Sequence, residues 1–213
     1  MRIALFGGSF DPPHRGHVAI ARAAADAFAL DTVLFAPAGQ QPLKRDQQGA
    51  SYADRFTMVA LACAEDSRFA ASSLDEPRAD GSPNYTFWTL ERLRNRYPEA
   101  ALFNLAGADS FRTIGQWREP RRLLALAEWI VVSRPGVSLL GLSGQLADPD
   151  RLSLSETERG RIHALTSVHE DVSATLLRER LERGEPCADL LPAPVADFIR
   201  ERHLYQGRPA SPP

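Results

Sequence analysis

The sequence predicts an α/β fold with a doubly wound parallel sheet, from two observations. The first is a set of short apolar runs without polar alternation, which is typical of strands buried on both faces. The second is that amphipathic stretches of helical period separate these runs, as in right-handed βαβ units. No repeat or linker divides the 213 residues. We therefore expect a single domain over residues 1–207, with C-terminal helices packed beside the sheet and a flexible tail at 208–213.

The first half of the chain contains three predicted strands, each followed by a predicted helix. The strands are residues 3–6, 32–36 and 69–74, and the helices are residues 16–28, 52–63 and 86–97. Gly7–Gly8 ends the first strand, Pro37 ends the second, and Pro98 stops the third helix. The segments 39–51 and 75–84 are polar and rich in Gly and Pro, so both are expected to be loops.

The second half continues the alternation less clearly. Strands are predicted at 101–107, 128–133 and 164–168, and helices at 121–127, 173–183 and 194–203. Ser155-x-x-Glu158 has the spacing of a capping box for a further short helix. The loops expected at the carboxyl edge of the sheet, where ligands bind in such folds, are 7–17, 37–45, 107–118 and 133–136.

Composition excludes several classes of protein. Lys and Arg number 25 and Asp and Glu 27, so no overall basic field draws the chain to nucleic acid or to an anionic membrane. Cys63 and Cys187 are the only cysteines and lie far apart, which argues against a disulfide framework or a structural zinc site. With no apolar run long enough for a membrane span and no leader pattern, a cytoplasmic location is expected.

Residues 7–17 read GGSFDPPHRGH and join the first predicted strand to the first predicted helix. Glycines such as Gly7 and Gly8 let backbone N–H groups approach a phosphate closely. His14 and His17, spaced i and i+3, lie at the positive end of the helix dipole. An HxxH pair is also half of some metal sites, but no Cys or Glu lies nearby at ligand spacing, so no metal ligand is predicted. The segment thus predicts an anion site.

Four other positions have both a structural and a functional interpretation. Asp109, Thr86 and Ser173 each stand where a helix begins, so each either caps that helix or contacts a ligand. Trp117 follows a polar loop and either packs in the core or stacks on a flat ring. The sequence alone leaves these alternatives open.

The segment GGSFDPPHRGH resembles the signature of nucleotidyltransferases with an (H/T)xGH motif, here His14-Arg15-Gly16-His17. Within that superfamily the chain is most similar to the bacterial nicotinate-nucleotide adenylyltransferase family. A second segment, residues 172–178, resembles the signature ISSTxxR, with Val172 for Ile and Ala174 for the second Ser. The resemblance implies a Rossmann-like fold and transfer of AMP from ATP to nicotinate mononucleotide, with release of pyrophosphate. Nicotinamide mononucleotide and phosphopantetheine stay open as acceptors, as does a binding module without turnover.

The resemblance also implies roles for individual residues. The implied catalytic residues are His14, His17 and Arg178. Contacts with ATP are implied for Gly7, Gly8, Ser9, Phe10, His14, His17, Gly107, Asp109, Arg134, Ser173, Thr175 and Arg178. Contacts with the acceptor are implied for Lys44, Thr86, Trp117 and Arg118. Mg²⁺ is expected as a cofactor held mainly by the phosphates of ATP, and whether the chain forms a homo-oligomer is left open.

Overall fold

A six-stranded parallel sheet forms the centre of the computed structural model, which describes residues 1–40, 49–132, 153–166 and 172–206. The strands are β1 Arg2–Gly8, β2 Thr32–Pro37, β3 Phe69–Ala71, β4 Ala101–Gly107, β5 Glu128–Val132 and β6 Ile162–Leu165. Their order across the sheet is β3-β2-β1-β4-β5-β6, and every neighbouring pair is parallel. The predicted doubly wound parallel sheet is confirmed, and its strand order reverses between β1 and β4.

Eight α-helices lie in the described residues. They are α1 Arg15–Ala27, α2 Tyr52–Cys63, α3 Thr86–Arg96, α4 Ala108–Phe111, α5 Pro120–Leu126, α6 Glu156–Gly160, α7 Ala174–Glu182 and α8 Ala193–Glu201. The predicted capping box starts α6, because the Ser155 hydroxyl accepts from the Glu158 N–H while the Glu158 carboxylate accepts from the Ser155 N–H. In the part of the chain described, no helix combines the length and the apolar character needed to cross a bilayer.

Three features differ from the predictions. The third strand ends at Ala71, since β3 is an edge strand that pairs only with β2 before the chain turns toward α3. The last strand begins at Ile162, two residues early, and its polar His163 conceals it from a search for apolar runs. Helix α4 and the 3₁₀ turn Ile114–Gln116 were not predicted, because three or four residues are too short to show a helical period.

The sheet is buried on both faces. Alternate β1 residues point to opposite sides, so Ala4 and Phe6 join one core while Ile3 and Leu5 join the other. Helices α1, α2, α7 and α8 contribute to the first core, and α3 and α5 contribute to the second. Helices therefore cover both faces of the sheet. A crevice is expected at the carboxyl ends of β1 and β4, because the strand order reverses between these two strands.

Candidate active site

A cavity of about 410 Å³ opens at the carboxyl ends of β1 and β4. Its wall includes eight of the residues that the sequence predicted to bind substrates: Gly7, Gly8, Ser9, His17, Thr86, Gly107, Trp117 and Arg118. Because strand order reverses at this point, the cavity lies where doubly wound folds bind nucleotides. Residues predicted for ATP and for the acceptor thus share one cavity.

The end of β1 presents backbone without side chains to this cavity. A Cβ placed on Gly7 would have nothing within 4 Å, so core packing does not require glycine there. A Cβ on Gly8 would come within 3.1 Å of the Phe10 ring. Phe10 itself is only 1% exposed and packs against the Phe6 and Phe35 rings. Phe10 therefore lies in the core and is absent from the cavity wall. Gly7 and Gly8 pair in the β1 ladder, so they offer a ligand close approach to a backbone without a Cβ rather than free N–H groups.

His14 and His17 form a stacked pair at the start of α1, with ring centroids 3.7 Å apart. The His14 backbone N–H donates to Nδ1 of His17 at 3.2 Å. In a neutral imidazole that accepts at Nδ1, the proton is on Nε2, so His17 offers an N–H donor. His17 lines the cavity, while His14 is buried behind it and its Nδ1 has no hydrogen-bond partner.

Both imidazoles are neutral near pH 7. Burial lowers the pKa of His14 from 6.5 to about 4. Burial, and then the proximity of His14, lower the pKa of His17 well below its usual value. Charging either ring would place an ion in a poorly solvated position. Any anion in this cavity is therefore met by N–H donors and by the N-terminus of a 13-residue helix, rather than by imidazolium cations.

Arg55 is a residue of the site that the sequence analysis missed. Its guanidinium, on α2, is buried and donates to the backbone carbonyls of Ser9 at 2.6 Å, Ala38 at 2.8 Å and Ala50 at 3.3 Å. Ser9 follows β1 and Ala38 follows β2, so Arg55 joins two loops at the cavity. The sequence feature that could have indicated this role is an arginine on the apolar stripe of the predicted second helix.

The loop before α1 is held by distant parts of the chain. The Asp11 carboxylate accepts from the Ala50 N–H and from the Tyr205 hydroxyl. The backbone carbonyl of Asp11 accepts from Nη1 of Arg178 at 2.7 Å. The second signature segment is therefore in direct contact with the first.

Ser173 and Thr175 lie at the start of α7, and neither these two residues nor Arg178 is on the cavity wall. Ser173 occupies the N-cap position, but its hydroxyl makes no capping hydrogen bond. The Thr175 hydroxyl accepts a long hydrogen bond, 3.4 Å, from Arg178. The sequence left open whether Ser173 caps the helix or contacts a ligand. In the structure its hydroxyl does not cap the helix.

The remaining predicted residues have varied positions. The Asp109 side chain is 82% exposed, lies 3.7 Å from an Arg112 nitrogen and is not on the cavity wall. Lys44 and Arg134 lie outside the described residues.

Trp117 and Arg118 also line the cavity. The Trp117 indole N–H donates to the Thr113 hydroxyl at 3.0 Å, and the ring meets Trp129 edge to face. The Arg118 guanidinium lies over the Tyr85 ring at 5.7 Å and over the Trp88 ring at 5.5 Å. An indole fixed at its N–H and its edge is suited to stacking on a flat ring.

Polar residues on the wall that were also missed include Asp75, Asn84 and Asn104. Asn84 accepts from the Gln40 N–H and donates to the Asp75 and Glu76 carbonyls. It therefore connects the two predicted loops, residues 39–51 and 75–84. Asn104 is 3% exposed and its Oδ1 has no partner. A polar residue within the apolar run ALFNLAG was the signal for Asn104.

Among the described residues, no group of three or more His, Cys, Asp or Glu side chains is placed to hold a metal ion. The cavity wall supplies one carboxylate, that of Asp75, together with hydroxyl and amide groups. This donor set suits a Mg²⁺ ion that is bound through substrate phosphates and water.

Comparisons with known proteins agree with this geometry. A family model described as Cytidylyltransferase-like matches residues 5–180. The probable nicotinate-nucleotide adenylyltransferase of Gloeobacter violaceus is 41% identical over 207 residues, 96% of each chain. The protein of that name from Neisseria meningitidis serogroup B is 40% identical over 205 residues, 96% of this chain and 98% of that one.

A solved structure gives the fold independently. Plasmodium falciparum nicotinic acid mononucleotide adenylyltransferase complexed with NaAD matches with a TM-score of 0.71 and 15% identity, over 96% of this chain and 97% of that chain. At that identity the likeness concerns the fold. From the family model and the sequence relatives, this chain belongs to the cytidylyltransferase-like family and, within it, to the nicotinate-nucleotide adenylyltransferases.

Proposed function

We propose that this protein transfers AMP from ATP to nicotinate mononucleotide, forming nicotinate adenine dinucleotide and pyrophosphate. One observation carries the proposal: Gly7, Gly8 and His17, which we assign to the phosphates, line the same cavity as the Trp117 ring, which we assign to the acceptor. The relatives named as nicotinate-nucleotide adenylyltransferases support the same acceptor.

The reaction requires positioning more than acid–base chemistry. A phosphate oxygen of the acceptor attacks the α-phosphorus of ATP, the new P–O bond forms, and the bond from the α-phosphorus to the bridging oxygen breaks to release pyrophosphate. The attacking phosphomonoester has a second pKa near 6, so it is already anionic at pH 7 and needs no general base. Such transfers are accelerated by alignment and by stabilisation of charge on the phosphate oxygens.

His17 and the N-terminus of α1 supply that stabilisation in the proposal. The Nε2–H of His17 donates to an oxygen of the transferred phosphate, which lies against the Gly7–Gly8 backbone at the N-terminus of α1. His14 holds His17 through the N–H to Nδ1 hydrogen bond and so keeps the Nε2 proton toward the cavity. Mg²⁺ bound with the substrate phosphates would supply further neutralisation of their charge, with Asp75 as the one carboxylate that the described residues place on the cavity wall.

Arg178 and the start of α7 complete the ATP site in the proposal. Arg178 donates to the Asp11 carbonyl, in the loop that leads to His14. A change of its side-chain rotamer would exchange that carbonyl for a phosphate oxygen, to which a guanidinium binds more strongly. The Ser173 hydroxyl, which caps nothing, is available for the same phosphates.

The acceptor occupies the part of the cavity beside Trp117 in the proposal. Its pyridinium ring stacks on Trp117, with a cation–π contribution. Its carboxylate is received by the amides at the start of α3, at Thr86, and by the region of Arg118. We place the reaction in the cytoplasm, where ATP is supplied, and treat residues 1–207 as the catalytic domain.

The test is pyrophosphate release on mixing the protein with ATP and each of three acceptors: nicotinate mononucleotide, nicotinamide mononucleotide and phosphopantetheine. The proposal expects the highest kcat/KM with nicotinate mononucleotide, and little turnover when CTP replaces ATP. His17→Ala should lower kcat by about 100-fold, the scale of losing one oxyanion donor. His163→Ala, a partly exposed residue that pairs with Glu128 away from the cavity, is the control. No release with any acceptor, or an unchanged kcat for His17→Ala, would contradict the proposal.

A further inference from the structure

Asp75 places a carboxylate on the wall of the cavity, where the proposed mechanism gives it no contact with either substrate. It follows β3 and is partly buried. Within the described chain it belongs to no ion pair, although Arg55 and Arg92 are the cations that face it most closely. A carboxylate without a paired cation is an unusual component of a cavity proposed to bind two anionic substrates.

The position of this carboxylate is fixed from several sides. The Thr89 hydroxyl donates to Oδ1 of Asp75 at 2.9 Å. The Asp75 backbone carbonyl accepts from the Gly39 N–H at 2.8 Å and from the Asn84 side chain at 3.2 Å. The side chain is therefore held by α3 and its backbone by the loop after β2. With the Thr89 hydroxyl and the nearby Asn84 side chain as donors, the carboxylate still keeps lone pairs for a further hydrogen bond.

Asp75 lies near a residue that we assign to the acceptor. Its partner Thr89 is one turn along α3 from Thr86, the first residue of that helix and a wall residue proposed to receive the ring carboxylate. Residues i and i+3 share one side of a helix. The group that Asp75 meets should therefore belong to the acceptor nucleotide rather than to ATP.

The chemistry of the acceptor limits what that group can be. The ring carboxylate and the phosphate of nicotinate mononucleotide offer only acceptor oxygens, and both are anions that a carboxylate repels. The ring nitrogen is quaternary and carries no hydrogen. The ribose 2′- and 3′-hydroxyls are the only donors. We infer that Asp75 accepts a hydrogen bond from a ribose hydroxyl of the acceptor and so makes the enzyme selective for a ribonucleotide acceptor. This inference rests on the proposed function.

The test compares kcat/KM for nicotinate mononucleotide with its 2′-deoxy and 3′-deoxy analogues in the wild type, Asp75→Asn and Asp75→Ala. At pH 8 the wild-type carboxyl is ionised, because burial raises its pKa only to about 6. The wild type should lose about 10-fold or more in kcat/KM with one of the two analogues, the value of a hydrogen bond to a charged group. Both variants should lose much less with that same analogue.

The control is Glu76→Ala, an exposed carboxylate next in sequence that is not on the cavity wall, and it should discriminate as the wild type does. Equal fold-losses in kcat/KM for the wild type and the Asp75 variants with both analogues would overturn the inference. Any effect of the substitution on kcat/KM would then come from the charge near the ring or from folding, not from a ribose hydroxyl. Asp75→Asn keeps the shape of the side chain, so it tests the point even if Asp75→Ala is poorly folded. Failure of the proposed function would look different, since the wild type would not use nicotinate mononucleotide at all.

Discussion

Lowering the pH from 7 to 5 should destabilise the fold because the His14 and His17 rings are buried in their neutral form. The pKa of His14 is 6.5 when exposed and about 4 in the folded protein. Between these values the unfolded chain binds the proton and the folded chain does not, so stability is present above pH 6.5 and is lost as the pH falls toward 4. At pH 5, His14 alone accounts for a loss of about 2 kcal/mol. His17 is shifted in the same direction and adds to this loss.

The assay is urea unfolding followed by circular dichroism, at pH 7 and at pH 5, with the two free energies of unfolding compared. Carboxylates also titrate in this range, so the informative quantity is the difference between variants. In His14→Gln, which cannot take up the proton, the loss should be smaller by about 2 kcal/mol. In the control His203→Asn, at an exposed histidine, the loss should equal that of the wild type. An equal loss in His14→Gln and wild type would refute the assignment of a neutral, buried pair.

Two further predictions concern Trp117, on the cavity wall, and Arg55, which donates to the wall residues Ser9 and Ala38. Trp117→Ala should raise the KM for nicotinate mononucleotide by about 10-fold or more, on the scale of base–aromatic stacking, with an unchanged KM for ATP; a change in the ATP value alone would contradict the stacking role. Arg55→Met should lower the free energy of unfolding by about 3 kcal/mol, because the buried carbonyls of Ser9 and Ala38 lose their donor. Arg200→Met, at an exposed arginine, should change it by less than about 0.5 kcal/mol, and similar losses in the two variants would argue against a specific role for Arg55.

The part of the site that could be predicted is the part that is local in sequence. Gly7, Gly8 and His17 fall within eleven consecutive residues, so the strand before them and the helix after them fix their relative positions. Trp117 and Thr86 were predicted through their resemblance to family motifs, and both are on the cavity wall. Where the chemistry follows from one βα junction, pattern and structure agree.

The missed residues depend on contacts between segments distant in sequence. Arg55 bonds to carbonyls from two other loops, and Asn84 bonds across to Gln40. Nothing in the local sequence shows that the loops after β2 and β3 meet above the sheet. Phe10 illustrates the converse case, since it lies within the signature segment and yet packs in the core. A motif indicates which segment lies at the ligand site. Tertiary packing decides which side chains of that segment reach the site.

The central claim is that the bare backbone at the end of β1 and the neutral His17 imidazole form the site for the phosphates of ATP. A crystal structure with nicotinate mononucleotide and an ATP analogue that cannot be cleaved tests it most directly. The account predicts the α-phosphate within hydrogen-bonding distance of His17 Nε2 and in contact with the Gly7–Gly8 backbone, with the pyridine ring on Trp117. A triphosphate seated away from His17 in that structure would contradict it.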